Sequence, residues 1–92
     1  MTIYEIEQTP VAVLRFTASW CPPCKALAPV FDEVAAENPG VTVFVVDVDD
    51  HPDIASHYSI RGIPTLLRVE EGVVTKQLGG ARPKPEVEDL FK

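Results

Sequence analysis

The chain has 92 residues, 46% of them apolar, and a formal charge of −6. That length makes a single domain, 1–92, with one small core and a modest stability margin. An acidic chain lacks the basic footprint that phosphate backbones and anionic lipid surfaces demand, which argues against nucleic-acid binding and membrane docking.

In chain order, Thr2 to Glu7 alternates polar and apolar residues and reads as a short edge strand, broken by Gln8-Thr9-Pro10. Val11 to Ala18 is β-rich and interrupted only by Arg15, as expected of a central strand covered on both faces. From Cys21 to Glu37 the residues Leu27, Val30, Phe31, Val34 and Ala35 recur at helical spacing. Pro29 should kink that helix, and Asn38-Pro39-Gly40 should end it. Val41 to Val48 is almost continuously apolar and suits a buried parallel strand. Pro52 to Tyr58 predicts a short helix with Asp50 or His51 near its cap. Thr65 to Glu70 and Val73 to Leu78 predict two strands joined by a tight turn at Glu71-Gly72. Pro85 to Phe91 predicts a closing helix with Val87, Leu90 and Phe91 on its apolar face. An αβ alternation followed by a hairpin predicts an α/β fold, a mixed sheet with helices on both faces.

The N-terminal residues Met1 to Pro10 carry Glu5 and Glu7 and no long apolar run, which is unlike a signal peptide. No stretch approaches the ~20 apolar residues that span a bilayer. A reducing, cytoplasmic location is therefore expected, and two cysteines three apart in such a compartment point to catalysis or metal rather than a structural staple.

Trp20-Cys21-Pro22-Pro23-Cys24-Lys25 follows a predicted strand and opens a predicted helix. The thiolate is the attacking species in disulfide exchange. A thiol at a helix N-terminus meets free N–H groups and the positive dipole end, and in Cys-x-x-Cys motifs its pKa can fall from ~8.5 to ~3.5–7.5. Cys24, one turn later, could then displace a partner captured on Cys21. A structural disulfide here would close a tiny loop and stabilise little. A zinc site would need two more ligands, and His51 and His57 do not form a usual ligand pair, so no metal is expected.

With Ala28-Pro29, Asp49, the run Tyr58-x-Ile60-Arg61-Gly62-Ile63-Pro64-Thr65, Gly72 and Gly80, the sequence closely resembles the thioredoxin family from about Val11 onward. Thioredoxins are among the proteins in which the lowered Cys-x-x-Cys pKa is known. The order read along the chain, β-β-α-β-α-β-β-α, makes the sheet a five-stranded mixed one of thioredoxin-like kind. The resemblance implies a protein-disulfide reductase with Cys21 as nucleophile and Cys24 as resolving thiol, and a redox-active disulfide with no other cofactor. It implies a cis Ile63-Pro64 bond beside the cysteines, with Ile63 pairing its backbone to the substrate chain. Trp20, Pro22, Ile60, Gly62, Ile63, Pro64, Gly80 and Ala81 would form an apolar docking surface, with Pro23, Lys25 and Arg15 tuning the chemistry. Thioredoxin reductase would donate electrons, proteins such as ribonucleotide reductase would accept them, and a monomer is the default.

Three departures from the family stand out. Only Gln8-Thr9-Pro10 occupies the place of the family's first helix, so that helix is expected to be absent. The family's buried Asp is Arg15 here and its Lys is Val45, so the proton-relay carboxylate has no counterpart. Arg15 is never neutral in practice and needs a partner, for which Asp47 is the candidate, or an exit to solvent. Pro22-Pro23 stands where Gly-Pro is usual, removing one N–H near the Cys21 sulfur while stiffening the loop. Two other functions compete with reduction: a thiol oxidase or isomerase, and a docking module whose redox chemistry is incidental.

Overall fold

The computed structural model describes all 92 residues. The order of elements is α1 (Ile3–Gln8), β1 (Val11–Thr17), α2 (Pro22–Ala36), β2 (Thr42–Asp47), α3 (Pro52–His57), β3 (Thr65–Glu70), β4 (Val73–Gly79) and α4 (Lys84–Phe91). The sheet runs β2-β1-β3-β4, with β1 parallel to β2 and antiparallel to β3, and β3 antiparallel to β4. It is the expected mixed sheet, with four strands rather than five.

The missing strand is the one predicted at Thr2 to Glu7, and those residues form α1 instead. A helix therefore does precede β1, contrary to expectation. The local chemistry explains both corrections. The Thr2 side chain caps the helix by accepting the Glu5 N–H at 3.1 Å, and the Thr9 hydroxyl donates to the Glu5 carbonyl at 2.8 Å. Thr2-x-x-Glu5 is a helix-start pattern, and Ile3 and Ile6 are three apart, a helical spacing and not an alternating one. Ile6 is fully buried while Tyr4 is exposed.

β1 and β3 are central and almost wholly buried. Side-chain alternation sends Ala12, Leu14 and Phe16 to one face, where they pack with Ile6, Val46, Ile54, Leu67 and Val69 beneath α1 and α3. Val13 and Leu66 face the other side and pack with Leu27, Phe31 and Val34 of α2 and Val87, Leu90 and Phe91 of α4. The Phe31 and Phe91 rings lie 5.5 Å apart. Outside the core, Lys84 ties α4 to Glu33 of α2 at 2.7 Å and to Glu37, the C-cap of α2, at 3.8 Å. Arg68, buried in β3, donates to the Leu90 carbonyl at 3.0 Å, satisfying an orphan acceptor at the α4 C-terminus.

β2 corrects a second expectation. It is parallel to β1, as the apolar run suggested, but it lies at the sheet edge and only Val46 is fully buried. Pro29 sits inside α2 without ending it. The β3–β4 turn places Glu71 and Gly72 at φ +49° and +85°, the left-handed pair of a two-residue hairpin.

Candidate active site

β1 delivers the chain to Ala18, and the turn Ala18–Cys21 closes with the Cys21 N–H donating to the Ala18 carbonyl at 3.3 Å. Cys21 is then the N-cap of α2 and Cys24 its third helical residue. Proline at the first two helical positions suits the helix start, because an N–H there has no intrahelical partner. The first turn therefore offers few free donors. Pro22 and Pro23 have no N–H, and the Cys24 N–H donates to Cys21 Sγ at 3.3 Å. The two cysteines are joined in a disulfide, with Cα atoms 5.3 Å apart.

Both sulfur residues are buried, Cys24 at 1% exposure and Cys21 at 4%. They pack with Ala18 and against Val48 and Ile63. The Ile63 carbonyl oxygen lies 4.0 Å from Cys21 Sγ, and the Ile63-Pro64 bond is cis. Gly80, at φ +84°, donates its N–H to the Pro64 carbonyl at 2.9 Å, and a side chain there would meet open space.

Beside the disulfide is a hollow of about 360 Å³ lined by Trp20, Val48, Ala55, Ile60, Arg61, Gly62 and Ile63. The fold thus brings together Trp20, Ile60, Gly62 and Ile63 of the expected docking set. Pro22, Gly80 and Ala81 are exposed and do not line that hollow, and Pro64, which does not line it either, is buried. Pro23 and Lys25 are exposed on the first turn of α2. Sequence reasoning gave no role to Val48, Ala55 or Arg61, which line the hollow, nor to Asp49. Trp20 is 64% exposed, and its indole N–H donates to Asp49 Oδ2 at 2.7 Å, which fixes the ring at the rim. Asp49 is in turn set by a loop in which Asp47 Oδ1 accepts its N–H at 2.8 Å.

Arg15 is buried on the α2 side of β1, and its partner is Asp32 at 4.0 Å, not Asp47. Its guanidinium also sits 5.2 Å from the centre of the Phe31 ring, a cation–π contact. Burial pulls its pKa below the ordinary arginine value and Asp32 partly offsets this. The group remains a cation at any physiological pH. Phe31 and Asp32, the residues that hold the guanidinium, follow Cys24 by two turns of α2.

The sequence matches the family described as Thioredoxin over residues 4–92. The chain belongs to the thioredoxin family. A thioredoxin of Mycoplasmoides gallisepticum is 42% identical over 80 residues, covering 87% of this chain and 80% of its own. A thioredoxin of Mycoplasma genitalium is 42% identical over 79 residues, covering 86% and 78%. The solution structure of oxidised thioredoxin from Plasmodium falciparum superposes with a TM-score of 0.86 at 27% identity, covering 97% of this chain and 85% of that one. As in these thioredoxins, the chemistry is thiol–disulfide exchange, and the chain is a protein-disulfide reductase.

Proposed function

We propose that Cys21 is the entering nucleophile and Cys24 the resolving thiol, acting on disulfides of partner proteins in the cytoplasm. The observation that carries this assignment is the Cys24 N–H aimed at Cys21 Sγ at the start of a 15-residue helix. In the reduced chain the same N–H and the helix end favour a thiolate on Cys21 over a thiol. That thiolate attacks one sulfur of the substrate disulfide. The substrate S–S bond breaks, a mixed disulfide forms on Cys21, and the first substrate thiolate leaves and takes up a proton. Cys24 then gives up its proton and attacks Cys21 Sγ, expelling the second substrate thiolate. Two electrons have passed to the substrate, and the chain is left with the Cys21–Cys24 disulfide. No further cofactor is called for.

The hollow beside Cys21 receives a substrate side chain, and the Ile63 backbone, 4.0 Å from the sulfur, pairs with the substrate main chain as an added strand would. Trp20, held by Asp49, closes one side, and Gly80 and Ala81 extend the surface. A flavin-dependent thioredoxin reductase restores the dithiol, and enzymes such as ribonucleotide reductase accept its electrons. A solved structure described as the structural basis of the thiol resolving mechanism in yeast mitochondrial 1-Cys peroxiredoxin via glutathione/thioredoxin systems supports peroxide-reducing enzymes as a further substrate class. It matches at 28% identity with a TM-score of 0.86, covering 96% of this chain and 83% of that one.

Insulin reduction in dithiothreitol tests the assignment. The native chain is expected to accelerate precipitation, Cys21→Ser to abolish the acceleration, and Cys24→Ser to accumulate mixed disulfides on Cys21 that mass spectrometry identifies. Adducts on Cys24 in a Cys21→Ser chain, with none on Cys21 in the Cys24→Ser chain, would reverse the roles.

A further inference from the structure

The two edges of the sheet are built differently. β4, at one edge, carries Lys76 and a bulge, because Arg68 pairs with Lys76 and Val69 with Val74, leaving Thr75 unpaired. A lysine and a bulge are the usual devices that stop an edge strand from recruiting another strand. β2, at the other edge, has neither. Its residues Thr42 to Asp47 pair in unbroken register with β1, and they contain no lysine, proline or glycine. Four of the six are Val or Phe, and Val45 is 43% exposed. The residues predicted to form a further edge strand, Thr2 to Glu7, are helical and pack on a sheet face. The outward N–H and C=O groups of β2 therefore have no strand beside them.

We propose that β2 is a self-association edge, on which a second copy of this chain adds its own β2 antiparallel to make one continuous eight-stranded sheet. A two-fold axis perpendicular to the sheet keeps equivalent faces on the same side, so residues of equal parity stand opposite one another. Centring the axis on the most exposed apolar residue sets Val45 opposite Val45, Phe44 opposite Val46 and Val43 opposite Asp47. Asp49 and Asp50 then fall beside Val41 and Gly40. No carboxylate faces another, although each copy carries a charge of −6. Apolar β-branched residues directly opposite each other stabilise such a pair. The Cys21–Cys24 pair lies at the end of β1, an inner strand, and stays open in both copies. Six residues a side bury less than the ~1,200 Å² at which stable interfaces begin, so the dimer is weak and forms at high concentration.

The test is sedimentation equilibrium of the oxidised chain from about 10 µM to 1 mM, paired with amide hydrogen exchange at both ends of that range. The expected result is a mass rising toward two chains, with added protection confined to Thr42–Asp47. Val45→Lys would set like charges opposite each other and weaken association by ~10-fold or more. Val45→Thr, which keeps the β-branched shape, would retain it. A mass that stays at one chain throughout, or protection that appears around Trp20 and Ile63 instead, overturns the proposal. So does a folded Val45→Lys chain, verified by circular dichroism, that associates as tightly as the native one. Should Val45→Lys fail to fold, the location of protection in the native chain decides alone.

Discussion

Tyr58 holds a hydroxyl that is buried without a hydrogen-bond partner, its ring edge-on to Phe16 and His57. Burial pushes its pKa up, and the charge of Glu7 adds to the shift. A folded-state pKa raised above the unfolded value means that the folded chain binds the proton more tightly. Its contribution is complete below the ordinary tyrosine value of 10.0 and declines as pH rises from there through the folded pKa. Lys84, raised by its hydrogen bond to Glu33, acts with the same sign. Tyr58→Phe is expected to leave stability at pH 7 unchanged or raise it by up to ~1 kcal/mol, because an unpaired polar group is removed, and to flatten the alkaline decline. Urea titrations at neutral and alkaline pH would show this, and an equally steep decline in the variant would assign it elsewhere. Arg15 was visible in the sequence as a charge needing a partner. Asp47 was the wrong choice, because its carboxylate oxygen is engaged by the N–H groups of Asp49 and Asp50. Asp32 was hidden because only the docking of α2 across β1 brings it near.

The element most completely misread was α1. Six residues with two isoleucines satisfy a strand pattern and a helix pattern equally well, and Thr2 settles the choice by capping the Glu5 N–H. Propensity does not hold so short a helix, since helices under ~12 residues are marginal in isolation. It stays because Ile6 inserts into the cluster around Leu14, Phe16 and Leu67. Ile6→Ala should therefore cost ~2–5 kcal/mol, as deletion of a fully buried side chain does. A denaturant titration showing a loss under ~1 kcal/mol would mean that α1 is only loosely docked. By contrast α2 was legible from its stripe and its Cys-Pro-Pro-Cys start, and the hairpin from Glu71-Gly72, because both signals are local in sequence.

The whole molecule is acidic: Asp47 ends β2, Asp49 and Asp50 stand on the loop after it, Asp53 is in the first turn of α3, and Asp49 is bonded to Trp20. Approach of an acidic substrate protein is thus opposed by a field that salt screens over a Debye length of ~30 Å at 0.01 M and ~8 Å at 0.15 M. Reduction of an acidic disulfide protein should accelerate across that salt range, while reduction of an uncharged disulfide peptide should not. Stopped-flow rates in the two buffers distinguish these cases. Slower reduction of the acidic protein at higher salt would mean that the cations Lys25 and Arg61 dominate the rim, and equal salt responses of the two substrates would mean that no net field acts there.

Chemistry was written into the sequence: a cysteine pair one helical turn apart at a strand–helix junction, with Ile63-Pro64 far downstream. Helix starts, the tight turn and the apolar stripes were likewise carried by neighbours along the chain, and a local pattern can be read without coordinates. Tertiary structure alone decided which strand ended the sheet, which acid met Arg15, and that Asp49 would hold Trp20 beside the hollow. Those outcomes depend on contacts between segments distant in sequence. An apolar run such as Val41 to Val48 has the same composition at a sheet edge as at its centre, so only the packing of the other elements determines what it faces.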